Sequence, residues 1–196
     1  MTAIALPSSD YFSVITTADR RSRTPWRALL NLPRFGDAHI DYADETEAQR
    51  TLWAARLDEA VRRAERPVLL VASGASCFAT AWWARLSPAS YVSRVSGALL
   101  FSPVGRAARS DASEKFASPR ISLPFPSAVI ARDGEEARLR ALVEDWGSGL
   151  LVPGGHDRVA SGGAWQQAHA LLSRATARVV ENRMRVADAL GVALAE

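Results

Sequence analysis

The stretch that most constrains this chain runs from Pro67 to Leu86. It opens with Val68-Leu69-Leu70-Val71, an unbroken apolar run of β-type residues, the pattern of a strand covered on both faces. Small residues follow, from Ala72 to Ser76, and then Phe78, Ala79, Ala81, Trp82, Trp83 and Leu86 make an apolar series of helical character. A strand, a tight turn of small residues and a helix form a sharp elbow whose central residue sits on strained backbone. Bulk two residues to either side of that centre would clash. Centred on Gly74, the flanking positions are Ala72 and Ser76, both small. Centred on Ser73, one flank is Val71; centred on Ser76, one flank is Phe78. Only the Gly74 register meets the steric demand, and glycine brings no side chain to the apex.

A chain of 196 residues with 48% hydrophobic content is long enough to bury roughly 70% of its unfolded surface in one domain spanning residues 1–196. The net charge of +3 and pI of 9.6 do not indicate nucleic acid. Lys115 is the only lysine, and the arginines are dispersed among acids as on a solvated mixed surface. Cys77 is alone, so no disulfide framework or cysteine-based metal site is expected. No cofactor is expected either. The N-terminus lacks a basic segment followed by an apolar one, and no apolar run approaches membrane length. The expectation is a soluble, cytoplasmic protein.

Taken in order, residues 1–10 read as a loose leader and Tyr11 to Thr17 as the first strand. Pro25 opens a short helix carrying Trp26, Leu29 and Leu30, and His39 to Tyr42 is a weak second strand. Asp44 and Glu47 have capping-box spacing, and Leu52, Trp53, Leu57, Ala60 and Val61 recur at helical period to about Arg63. After the elbow, Ser96 to Ser102, with its apolar run Ala98-Leu99-Leu100-Phe101, is a buried strand. Residues 104–126, with their prolines, are the longest loop and a natural lid or substrate-facing segment. Ala128 to Ala131 is a fifth strand. Glu135 and Glu136 suit the positive end of a helix that Gly147 stops, and Leu150 to Val152 is the last strand. From Ala164 the pattern is helical to the C-terminus. This alternation predicts a parallel sheet with helices on both faces.

Strand, small-residue turn and helix also describe the nucleophile elbow of α/β-hydrolases. Late in the chain stands Gly155-His156-Asp157-Arg158-Val159-Ala160-Ser161-Gly162-Gly163-Ala164-Trp165, preceded by Ala141-Leu142-Val143-Glu144-Asp145-Trp146-Gly147. With the elbow, these segments resemble the small serine hydrolases related to retinoblastoma-binding protein 9 and the bacterial YdeN-like proteins, over a core of about residues 11–172. The resemblance implies a compact α/β-hydrolase fold, a three-layer α/β/α sandwich of about six parallel strands in the order 2-1-3-4-5-6, with its site at the C-terminal edge of the sheet. It also implies His156 as the triad histidine, which takes the nucleophile's proton and returns it to the leaving group. Asp133 matches the acid that orients the imidazole, with Glu135 as the alternative. At the serine position the chain has Gly74, with Ser73 and Ser76 beside it. Thr16 and Thr17 stand where the family has its oxyanion-forming Pro-Gly, and Ala75 follows the elbow centre.

Two functions are then open. In the first, serine-nucleophile chemistry is lost and the remaining pocket or surface binds a small-molecule ligand or a protein partner. In the second, the chain is an active esterase-like hydrolase in which Ser73 or Ser76 serves His156 and Asp133 across a hydrogen-bond distance of about 3 Å. Cys77 reads as a small buried residue, although a helix N-terminus lowers a thiol pKa. His39 and His169 read as a strand-edge and a helix-surface residue, and the tryptophans as packing residues. The helical extension, about residues 173–196, either folds back on the sheet or makes a homodimer contact.

Overall fold

A computed structural model describes residues 12–19, 36–43, 46–103, 116, 121–131 and 134–151. Six strands form one parallel sheet: β1 Ser13–Asp19, β2 Ala38–Tyr42, β3 Val68–Ser73, β4 Val95–Phe101, β5 Ser127–Ile130 and β6 Gly149–Leu151. Their order is β2-β1-β3-β4-β5-β6, the order expected from the sequence, and every adjacent pair is parallel. The described helices are α1 Glu47–Arg63, α2 Ser76–Leu86, the short α3 Ala89–Val92 and α4 Glu136–Trp146. The Pro25 helix, residues 104–115, Asp133, His156 and the helical C-terminal segment lie outside the described residues.

Strand alternation sorts the sheet into two faces. Ile15, Leu70, Ala72, Leu100 and Val129 join a core with Trp53, Leu57 and Val61 of α1, Phe78 and Trp83 of α2, and Leu139, Val143 and Trp146 of α4. Leu57, Val61 and Leu139 have no exposed surface; each such burial is worth about 1.5–3 kcal/mol. Val14, Leu69, Val71, Leu99 and Phe101 are equally buried but belong to the other face, outside that core.

Three boundaries differ from the sequence reading. Strand β1 runs on to Asp19 because its pairing with β2 and β3 continues through Ala18. Helix α1 is capped by Thr46 rather than Asp44. Thr46 Oγ1 accepts the Gln49 N–H at 3.2 Å, and Gln49 Oε1 accepts the Thr46 N–H at 3.0 Å. Thr-Glu-Ala-Gln at 46–49 is itself a capping box, and Glu47 falls inside the first turn. Helix α3 was not foreseen, being four residues without a full apolar stripe. Gly147 stops α4 as expected, at φ +63, with the Ser148 N–H returning to Val143 O at 2.9 Å.

Candidate functional site

At the C-terminal end of β3 the chain turns sharply into α2, and Gly74 makes the turn at φ +67. An L-side chain there costs about 1–2 kcal/mol. Its N–H donates to Phe101 O at the end of β4 (3.0 Å), and its carbonyl accepts the Cys77 N–H (3.1 Å). Ala75 follows in right-handed helical geometry as the N-cap of α2, without a side-chain cap. Its N–H thus stands at the positive end of the helix, where a hydrolase elbow supplies one oxyanion donor.

The neighbouring hydroxyls are directed into the protein. Ser76 has no exposed surface. Its Oγ accepts the Ser73 N–H at 3.1 Å and donates toward Ser73 O at 2.9 Å and Thr17 O at 3.1 Å. That hydroxyl fastens the turn to itself and to β1. Ser73 is 2% exposed and is the last residue of β3. By alternation it shares the face of Leu69 and Val71, not the face of α2. The Cys77 thiol is fully buried and points to Phe101 O at 3.6 Å. Burial pushes its pKa far above the ordinary thiol range, so the thiolate a nucleophile requires is suppressed.

Thr16 and Thr17 lie inside β1 rather than in the loop beyond it. The Thr17 hydroxyl donates to Ile40 O (2.8 Å) and accepts the Trp53 indole N–H (3.1 Å). Thr17 therefore ties β1, β2 and α1 together, and through its carbonyl holds Ser76. Thr16 Oγ1 lies 2.8 Å from His39 Nδ1, and His39 Nε2 lies 3.3 Å from Asp41 Oδ1. This puts hydroxyl, imidazole and carboxylate in series, yet Thr16 is fully buried mid-strand, with no approach for a substrate. His39 is thus more than a strand-edge residue. Its partner comes from the β1–β2 register, which local sequence does not carry.

Sequence reading also passed over Ser102. It follows β4 at φ +45, the one non-glycine with positive φ among the described residues, and its N–H donates to Ile130 O at 2.9 Å. Ser73 pairs with Phe101, so Ser102 stands level with Gly74 at the sheet's C-terminal edge. No local signal marks it; a residue before proline leans toward extended backbone. Asp133 and His156 lie outside the described residues. Glu135 is the residue before α4. No group of three His, Cys, Asp or Glu side chains suited to a metal occurs among the described residues, and none of their helices is long and apolar enough to cross a membrane.

The comparisons agree with this architecture. A family model described as serine hydrolase matches residues 19–174. A crystal structure of a YdeN-like hydrolase from Pectobacterium atrosepticum superposes with a TM-score of 0.56 at 13% identity, covering 87% of this chain and 94% of that one. At that identity the likeness is one of fold. No curated protein matches the sequence.

Proposed function

The chain belongs to the serine hydrolase family, and we propose that it has given up serine-nucleophile chemistry and binds a small-molecule ligand or a protein partner instead. One observation carries this reading: the residue with positive φ at the strand-to-helix turn is Gly74, flanked two residues away by Ala72 and Ser76. That is where a hydrolase of this fold presents its attacking hydroxyl. The nearest alternatives support the same reading, since the Ser76 hydroxyl is spent on Ser73 and Thr17 and the Cys77 thiol is buried. In this reading the Gly155-His156 segment keeps the family's base without a proton to take, and Asp133 keeps its acid.

Labelling with a fluorophosphonate probe tests it. The folded wild-type protein is expected to stay unlabelled. Gly74→Ser should gain labelling, and adding His156→Ala should abolish the gain, because the new hydroxyl needs that base. Labelling of the wild type that disappears in Ser73→Ala, Ser76→Ala or Ser102→Ala would overturn the proposal and identify the nucleophile.

A further inference from the structure

Strand β2 ends the sheet; among the described residues it pairs only with β1. Every second residue of such a strand aims its N–H and C=O away from the sheet, as a template for another chain. A cavity of about 660 Å³ borders this strand, and its lining shows where it lies. Residues 37–41 all touch it, although successive strand side chains point to opposite faces. Ser13 and Ile15 of β1 line it as well, so the cavity lies between the sheet and α1 and reaches outward to the edge strand. Arg56, Glu59 and Arg63 of α1 form its wall.

We propose that this edge pairs with the same edge of a second copy, antiparallel, about a two-fold axis through Ile40. The strand reads Ala38-His39-Ile40-Asp41-Tyr42. In that register His39 faces the partner's Asp41 and Asp41 faces the partner's His39, both on the face opposite Ile40. An imidazole N–H directly across the ladder from a carboxylate can donate to it, whereas two carboxylates set face to face repel. Moving the axis to His39 sets Asp41 against the partner's Asp37. Moving it to Asp41 sets that carboxylate against itself. The Ile40 register avoids both. Within one chain His39 Nε2 and Asp41 Oδ1 are already 3.3 Å apart, with side-chain exposures of 15% and 58%. The two-fold therefore gathers two imidazoles and two carboxylates into one alternating cluster. The pairing is closed, so it makes a dimer and removes the open edge.

Sedimentation and light scattering of the full chain test this. The wild type is expected to be a dimer. Asp41→Lys replaces the acceptor that faces His39 with a donor, and His39→Glu opposes two carboxylates; each should raise the dissociation constant about tenfold or more. Mixing the two variants should restore pairing, because the new lysine then faces the new glutamate and His39 faces Asp41. If His39→Glu fails to fold, having lost the Thr16 contact, the exposed Asp41→Lys decides alone. A monomeric wild type, a dimer that Asp41→Lys leaves unchanged, or two folded variants that do not pair on mixing would each overturn the proposal.

Discussion

The hydroxyl of Ser76 accepts the backbone N–H of Ser73 at 3.1 Å, so the two residues that bracket the Gly74–Ala75 turn are joined by a bond beneath it. The same hydroxyl donates toward Ser73 O at 2.9 Å and Thr17 O at 3.1 Å, so its removal takes every one of these contacts from beneath the turn. Ser76→Ala should therefore cost about 2 kcal/mol. For a chain of this size that is a fall of about 4–8 °C in melting temperature, read by calorimetry. A melting temperature unchanged by the substitution would mean that the hydroxyl does not hold the turn.

Gly36 and Gly134 make a controlled pair. Both have positive φ, +57 and +81. A Cβ on Gly36 would lie 2.4 Å from Val14 O, whereas one on Gly134 meets nothing within 4 Å. The Val14 carbonyl cannot move freely, because it accepts the Asp37 N–H at 2.8 Å. Gly134→Ala should cost only the backbone strain, about 1–2 kcal/mol, and Gly36→Ala about 3 kcal/mol or more. Urea unfolding of the two variants side by side isolates the steric part.

Arg85 is a strut whose side chain is 4% exposed. Its guanidinium donates to Ile121 O at 2.7 Å and to the carbonyl and carboxylate of Asp145 at 3.0 and 3.3 Å. It thus binds α2, the elbow helix, to α4 and to the segment entering β5. Arg85→Leu removes these charge-assisted bonds and should cost about 2 kcal/mol. Arg85→Lys should recover less than half of that, since one ammonium cannot span three acceptors arranged for a planar fork. The midpoint of urea unfolding should shift with no change in slope.

Cys77 should be silent to thiol reagents in the native state. Its sulfur is fully buried and its pKa is raised by burial, so the reactive thiolate is both scarce and covered. Alkylation should proceed only at the rate at which the turn or the whole protein opens, and should become fast in denaturant. Rapid modification of the folded protein would show that α2 starts elsewhere.

The elements were legible because each strand shows an apolar run or β-type cluster and each helix a repeating stripe, and the strand order came from the family resemblance. Val68 to Val71, and Leu139, Val143 and Trp146, state their elements locally. The cap of α1 was legible too, in Thr46 and Gln49, but Asp44 and Glu47 offer a competing spacing two residues earlier. What could not be read was which polar groups meet across the sheet. Thr16 with His39, Thr17 with Trp53 and Arg85 with Asp145 are separated by 23, 36 and 60 residues, and hydrophobic pattern does not specify polar partners at such range.

The position of the turn belongs to the sequence alone. Glycine at 74 with Ala72 and Ser76 two residues away is the one arrangement whose side chains fit so sharp a bend, and that steric condition is local. The use of the Ser76 hydroxyl belongs to tertiary structure. Thr17, whose carbonyl is one of the two acceptors within its reach, is 59 residues away and arrives only when β1 docks beside β3. The same serine reads as a potential nucleophile in the chain and acts as the fastening of the turn in the fold, because burial against a second strand gives its hydroxyl backbone partners.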